Sequence, residues 1–274
     1  MTLPNVAIII SNYNYGEFVL NAIDSALGQD YKGPLRVYIV DDGSSDDSWK
    51  KINDRFDKLW SPRAFPSSDE IFKPYYKGDL QSFQVSDKNF WAYRIQNSGA
   101  STARNFAIWE AWGWADIFAI LDADDTYAPN KVSRQVEKLI EYDEVGVTYS
   151  DYIIHKTYNS NDYNKYEYKY PYSFIHLNSE CIVHSAGLIK KKYLKLVVLP
   201  NREFYDSALH GPGSGDFIGC TEDYDLWLRL SRVCIMSHIP EPLSFVRETG
   251  KNQSMKMTEA IFAENAEKIR SRNE

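Results

Sequence analysis

Val6-Ala7-Ile8-Ile9-Ile10 followed by Ser11-Asn12-Tyr13-Asn14-Tyr15-Gly16, and Leu35-Arg36-Val37-Tyr38-Ile39-Val40 followed by Asp41-Asp42-Gly43-Ser44-Ser45-Asp46, decide the fold class. Each is an apolar, largely β-branched run that stops abruptly in polar turn residues, the pattern of a strand buried on both faces of a parallel sheet. Between them Phe18, Ala22, Ile23, Ala26 and Leu27 recur at helical spacing. After the second run, the last polar residues can cap a helix from about 47 to 59. The order β-α-β-α implies a parallel sheet with right-handed crossovers, in which ligands bind beyond the carboxyl ends of the strands. The loops that start at Ser11, Asp41 and Asp122 are therefore the informative ones.

Working outward, residues 60–90 carry Pro62, Pro66, Pro74 and Gly78 among aromatics without a clear period, which reads as an insertion or long excursion. A short strand near 92–95 leads through Asn97-Ser98-Gly99 into a helix from about 101 to 114. Ile117 to Leu121 is the next buried strand and delivers Asp122 to the same sheet edge. A helix over about 130–142 and a strand over 145–150 follow. Beyond Asp151 the pattern is less regular. Residues 155–172 suit a surface loop or edge hairpin, 181–190 a strand, and 201–219 a Gly-containing loop. Glu222 to Arg232 has Leu226, Trp227, Leu230 and Val233 at helical spacing, with acidic residues at the start as a helix N-terminus prefers. A polar helix over 258–270 closes the pattern.

The 274 residues suffice for a substantial core, and 43% hydrophobic with 25% charged residues is ordinary globular composition. The formal charge of −7 offers no general attraction to nucleic acid or anionic lipid, so a phosphate-bearing partner has to be met locally, by a cation or by backbone donors. No apolar stretch approaches the roughly 20 residues of a transmembrane helix, and residues 1–10 lack the basic start and cleavage site of a secretory signal, so a cytoplasmic protein is expected. Cys181, Cys220 and Cys234 lack zinc-ligand spacing and read as thiols in a reducing compartment.

Four segments are candidates for chemistry. Asp122-Ala123-Asp124-Asp125 emerges directly from a buried strand, and hard oxygen ligands with open coordination positions suit Mg²⁺ or Mn²⁺ bridging phosphates. A solvated acidic loop or a cap leading into Pro129 fits this segment alone equally well. An EF-hand does not fit, because the sixth position from Asp122 is Tyr127 and the twelfth Ser133. Asp41-Asp42 also ends a strand, and one of the pair can accept hydrogen bonds from a base or ribose. Arg104 lies among small residues near the first turns of a helix, where a diphosphate can approach closely; a surface salt bridge is the alternative. Thr221-Glu222-Asp223 opens a helix and can present a general base, or simply cap it. Neither GxGxxG nor a P-loop occurs, and the five histidines show no metal-like spacing; His184 could line an acceptor pocket.

In order along the chain, Ile9-Ile10-Ser11-Asn12-Tyr13-Asn14, Ile39-Val40-Asp41-Asp42-Gly43-Ser44, Asn97-Ser98-Gly99 through Ala103-Arg104-Asn105, Leu121-Asp122-Ala123-Asp124-Asp125, and Thr221-Glu222-Asp223 through Leu226-Trp227-Leu228-Arg229 resemble the inverting glycosyltransferases of family 2, which have the GT-A fold. The resemblance implies an α/β, Rossmann-like, mostly parallel central sheet flanked by helices, with a less regular acceptor-binding C-terminal part. It implies one domain over 1–274: a nucleotide-sugar-binding half, 1–150, an acceptor-binding half, 151–250, and a C-terminal helix within 251–274. It also implies a nucleotide-sugar site formed by Ser11, Tyr13, Asp42, Arg104, Asp122, Ala123 and Asp124. Asp42 would meet a uracil ring, Asp122 the ribose or the metal, and Asp124 the metal, with Asp125 ordering the loop. Asp223 would be the catalytic base, with Glu222 shaping the acceptor site.

The implied reaction is a single displacement with inversion, from a nucleotide-diphosphate sugar, UDP-linked by expectation, to a hydroxyl of a glycan, lipid-linked or small-molecule acceptor, assisted by Mn²⁺ or Mg²⁺. Without membrane helices, single-sugar addition is expected rather than processive synthesis, and a membrane-linked acceptor would be met peripherally. Thr249 stands where many relatives carry a histidine after an arginine, here Arg247. Two rival readings are a nucleotidyltransferase, which would show a Gly-rich basic loop after its first strand where Ser11 to Gly16 is neither, and a catalytically silent nucleotide-sugar-binding protein, against which Asp223 argues.

Overall fold

The computed structural model describes residues 2–56, 81–85, 89–156, 163–184, 186–209, 221–250 and 259–273. Chain order begins β1 (Val6–Asn12), α1 (Val19–Leu27), β2 (Leu35–Asp41), α2 (Ser48–Arg55), β3 (Gln81–Val85), β4 (Phe90–Arg94), α3 (Ala100–Ala111) and β5 (Ile117–Asp122). It continues with β6 (Thr126–Tyr127), α4 (Lys131–Glu141), β7 (Val145–Lys156), β8 (Tyr163–Glu167), α5 (Phe174–Ser179), β9 (Leu188–Lys190) and α6 (Lys191–Leu194). It ends with α7 (Glu222–Ser231), β10 (Ile235–Glu248) and α8 (Glu259–Arg272).

One sheet runs in the order β3-β4-β2-β1-β5-β9-β7-β10-β6, with β8 paired to β7. Its centre, β4-β2-β1-β5, is parallel, as is the β7–β10 pair. Antiparallel β3, β9, β6 and β8 are added around these. Because successive side chains point to opposite faces, the apolar run of β1 feeds two cores. Val6, Ile8 and Ile10 pack with Val19, Ile23, Ile52, Val132 and Val136 of α1, α2 and α4. Ala7 and Ile9 pack with Phe106, Leu226, Trp227 and Ile269 of α3, α7 and α8. Each aliphatic side chain fully withdrawn from water in this way contributes about 1.5–3 kcal/mol, which is why the continuous run specifies a central strand.

Several elements differ from the sequence reading. β7 continues to Lys156 instead of stopping at 150, and the expected hairpin forms as β8 turns back along it. β10, 14 residues long, was not foreseen. Its Pro240 and Pro242 break the ladder, and the register against β7 shifts at Ile239/Pro242 and again at Pro242/Ser244, so the strand accommodates residues that ordinarily argue against one. The excursion assigned to 60–90 contains edge strand β3; residues 57–80 lie outside the described residues. Of the strand expected over 181–190 only Leu188–Lys190 forms, wedged antiparallel between β5 and β7. The first part of that stretch is turned, the backbone N–H of Ala186 donating to Nδ1 of His184 at 3.2 Å.

Gly146 shows how tightly β7 meets its neighbours. A Cβ there would lie 2.5 Å from Cys234 Sγ and 2.5 Å from Tyr193 Cδ2. Gly113 has nothing within 4 Å of the equivalent position. Gly146→Ala is expected to destabilise the protein by about 1–3 kcal/mol in urea unfolding, with Gly113→Ala within about 0.5 kcal/mol of wild type; equal midpoints for the two variants would contradict the packing described.

Candidate active site

The carboxyl ends of β1, β2 and β5 lie level, Asn12 opposite Asp41 and Ser11 opposite Asp122. Loops leaving a parallel sheet at one level share one surface, and the candidate residues gather there. The first two acidic residues divide their work. Asp41 is fully buried: Asn12 Nδ2 donates to it at 2.7 Å, Ser44 Oγ at 2.5 Å, and Arg94 Nε lies 3.4 Å away. It is a structural clamp that holds the β1 and β2 loops together. Asn14, in the left-handed region at φ 58°, adds to it by accepting from the backbone N–H of Ser45 at 2.8 Å.

Asp42 points instead toward α3. Its carboxylate accepts from the backbone N–H of Ser98 at 2.7 Å and of Gly99 at 2.8 Å, and from Asn97 Nδ2 at 3.1 Å. Burial nonetheless pushes its pKa up to about 6, against the lowering by those N–H donors. Gly99 (φ 91°) and Gly43 (φ 68°) supply the backbone conformations for this close approach, and a Cβ on Gly43 would sit 2.7 Å from the Asn97 nitrogen. Ser11 is half-buried and Tyr13 exposed on the adjacent β1 loop, at 44% of its surface.

Along Asp122-Ala123-Asp124-Asp125 each carboxylate has a different partner. Asp122 Oδ1 accepts from Arg104 Nη2 at 2.7 Å. Ala123 is buried, turning the chain. Asp124 receives the Tyr15 hydroxyl, and its pKa is pushed up to about 7 by burial and by the charge of Asp122. Asp125 Oδ1 accepts the backbone N–H of Arg247 at 2.8 Å, and Arg247 Nε reaches the carbonyl of Asp124 at 3.1 Å, so Asp125 ties this loop to the end of β10. Burial and then Asp124 and Asp122 raise the Asp125 carboxyl well above the usual range. Carboxylates held against their own repulsion fit a divalent cation. Among the described residues no group of three or more His, Cys, Asp or Glu side chains gathers as a complete cage. With Asp122 engaged by Arg104, a cation here would take Asp124 from the chain and complete its shell with ligand oxygens and water, the habit of Mg²⁺ and Mn²⁺ at phosphates.

Arg104 is the junction. Nη1 donates to Glu222 Oε1 at 2.7 Å and lies 3.6 Å from Asp223 Oδ1, while Nη2 holds Asp122. Its guanidinium also lies 5.3 Å from the centre of the Tyr205 ring. The next residue, Asn105, clamps Tyr205 by giving Nδ2–H to its carbonyl at 2.7 Å and accepting its N–H at 2.9 Å. Asp223, at the first turn of α7, keeps 20% of its side-chain surface open. Its buried Oδ1 has no hydrogen-bond partner among the described residues. Burial, partly opposed by Arg104, pushes its pKa up to about 7. A partly open carboxylate with an oxygen that accepts no hydrogen bond and a pKa near neutrality is suited to taking a proton from a hydroxyl.

The structure thus brings Asp122, Asp124, Arg104, Glu222 and Asp223 into one continuous cluster, with Ser11, Tyr13 and Asp42 along the neighbouring strand ends. Arg104, expected to approach a base or diphosphate, is buried in the ion cluster. Glu222 is likewise committed to that pair. Sequence reasoning did not assign Asn12, Tyr15, Asp41, Asn105 or Arg247 to the site. Asp41 was legible only as half of an acidic pair, and Tyr15 and Arg247 act through contacts made far along the chain.

The Glycosyl transferase family 2 model matches residues 7–66 and 67–197, spanning most of the strand ends just described. The chain belongs to glycosyl transferase family 2. A glycosyltransferase of Rickettsia conorii is 28% identical over 230 residues, 83% of this chain and 31% of its own length. WfaP of Escherichia coli, a UDP-Glc:α-D-GlcNAc-diphosphoundecaprenol β-1,3-glucosyltransferase, is 31% identical over 153 residues, 56% of this chain and 48% of its own length. S. aureus TarS in complex with UDP superposes with TM-score 0.64 at 13% identity, covering 98% of this chain and 65% of TarS 1-349. The mannosyltransferase PcManGT of Pyrobaculum calidifontis, in complex with GDP-Man and Mn²⁺, gives 0.56 at 15% identity, covering 98% of this chain and 74% of that one. These likenesses establish the GT-A fold, and this chain spans about a third of the Rickettsia conorii relative.

Replacing Arg104 by methionine in this family 2 chain removes the guanidinium shared by Asp122, Glu222 and Asp223 while keeping most of the side-chain volume. The expected loss is about 3–5 kcal/mol of unfolding free energy in denaturant titration; a loss under about 1 kcal/mol would show that the three carboxylates do not depend on it.

Proposed function

We propose that the chain is a metal-dependent inverting glycosyltransferase, moving one sugar from a nucleoside-diphosphate donor, UDP-linked in the first instance, to an acceptor hydroxyl. The observation that carries the reading is the pairing, through Arg104, of the acidic β5 end with Asp223, whose Oδ1 accepts no hydrogen bond among the described residues. Residues 1–150 form the donor half and 151–250 the acceptor half, with Ser11, Tyr13 and Asp42 toward the nucleoside and Asp122, Ala123 and Asp124 toward the diphosphate. The UDP complex of TarS and the GDP-Man and Mn²⁺ complex of PcManGT support donor and cation of these classes without choosing between the nucleosides. WfaP, which by name acts on a diphosphoundecaprenol acceptor, supports including lipid-linked acceptors, met peripherally from the cytoplasm. No helix among the described residues is long and apolar enough to cross a membrane.

In this mechanism Asp223 takes the proton from the acceptor hydroxyl as that oxygen attacks the anomeric carbon from the face opposite the leaving nucleoside diphosphate. Glu222 and Arg104 hold the start of α7 so that Asp223 faces the cleft. Mg²⁺ or Mn²⁺, when bound at Asp124 with Asp122 beside it, supplies Lewis-acid stabilisation of the charge on the departing phosphate oxygen.

Two outcomes are expected. Calorimetry across UDP, GDP and dTDP finds one nucleoside diphosphate whose binding requires Mn²⁺ or Mg²⁺, and Asp124→Asn weakens that binding at least about ten-fold; absence of any metal-dependent binding across the panel defeats the reading. Asp223→Asn retains donor binding but loses about 10²–10⁴-fold in transfer, the worth of a general base. With the base near 7, wild-type kcat/KM should fall as pH drops below that value and Asp223 takes up its proton; unchanged turnover in the variant removes Asp223 from the role.

A further inference from the structure

Resting on the glycosyltransferase reading, we propose that His184 is a sugar-binding residue, its Nε2–H donating to a hydroxyl of the transferred sugar beside Asp122. β9 runs antiparallel to β5, Ile117 opposite Lys190 and Ala119 opposite Leu188, and the Ile120 N–H donates to the Gly187 carbonyl at 3.3 Å. His184 lies four residues before β9, in the turn that brings the chain in beside the end of β5, and the charge of Asp122 acts on its ring. On the other side of β5, Ser11 of β1 is level with Asp122, and β2 with Asp42 lies beyond it. The sheet therefore presents Asp42, Ser11 and Asp122 in spatial order, with His184 in the turn that leads into β9 on the far side of β5. A nucleoside at β2 and β1 with its diphosphate at β5 places the sugar on the β9 side.

Local geometry settles what His184 offers there. Nδ1 accepts the Ala186 backbone N–H at 3.2 Å, so in the neutral ring the proton sits on Nε2. The ring packs on Tyr152 with centroids 4.5 Å apart, which holds its plane. Among the described residues Nε2 has no hydrogen-bond partner, and the residue is half-buried rather than enclosed. Burial, followed by the positive charge of Lys169, pushes its pKa down to about 3, against the pull of Asp122, so at neutral pH it is an uncharged donor. An uncharged N–H donor suits a sugar hydroxyl, whereas a phosphate oxygen is better served by a cation or a backbone array. A merely structural histidine would need only Nδ1, to hold its turn.

Two variants separate these roles, because an asparagine oxygen can stand in for Nδ1 and a glutamine amide can reach the position of Nε2. Wild type, His184→Asn and His184→Gln are titrated with Mn²⁺ and the preferred nucleoside diphosphate, then with its nucleotide sugars. H184N should bind the diphosphate within about two-fold of wild type and the nucleotide sugar about ten-fold more weakly, with H184Q recovering most of the loss. In ¹⁵N-labelled wild type, His184 Nε2 should shift on adding nucleotide sugar but not diphosphate, a reading that stands even where H184N fails to fold. An unshifted Nε2, an unchanged affinity ratio in H184N, or equal weakening of both ligands overturns the proposal for His184. Wild type that binds neither ligand overturns the glycosyltransferase reading instead.

Discussion

A guanidinium buried to 5% exposure can exist in this protein only because acids from two distant segments surround it. Arg104 belongs to α3, Asp122 to the end of β5, and Glu222 and Asp223 to the start of α7, more than a hundred residues further along the chain. The desolvation cost of such a charge is several kcal/mol, and it is offset only when every partner is in place. Correct docking of α7 on α3 is thereby coupled to correct placement of the β5 loop. Asn105 extends the same linkage by holding the Tyr205 backbone, so the segment leading toward α7 is fixed at two consecutive residues of α3.

That junction explains the uneven electrostatics around it. Asp122, Asp124, Asp125, Glu222 and Asp223 meet the guanidinium groups of Arg104 and Arg247, and Arg104 is nearest to the acids at the two ends of the cluster. Asp124, which receives the Tyr15 hydroxyl, is left with a pKa raised by burial and by Asp122. The same burial raises Asp223 while Arg104 pulls it back, leaving a group able to exchange a proton near neutrality. One acid is thus suited to a cation and the other to a proton, although both are aspartates in the same cluster.

Much of the first half of the chain was legible in the sequence, because its determinants are local. A run such as Val6-Ala7-Ile8-Ile9-Ile10 has no residue able to face water, so it must be a central strand, and the polar residues that end it must lie at the sheet edge. The order of strands and helices then places Asp42 and Asp122 on one surface. The second half was harder for equally physical reasons. β10 carries two prolines that mask a strand 14 residues long, and only pairing with β7, through bulges, reveals it. β9 is three residues long, too short to show a period.

What the sequence determined by itself, then, is the parallel centre of the sheet, the family resemblance and the candidate acids, since apolar runs and the turn residues that end them act over a few positions. Tertiary structure alone decided how those acids are used. Asp41 became a clamp and Asp42 an anchor for α3 because of which backbone and side-chain groups approached each. Arg104, expected beside a ligand, became the buried tie between two acidic loops. The acidic cluster at Asp122 was sharpened in the same way: Asp122 holds the arginine, Asp125 holds β10, and Asp124 receives the Tyr15 hydroxyl. Partners contributed from a hundred residues away set the charge state of each group, and no local pattern encodes them.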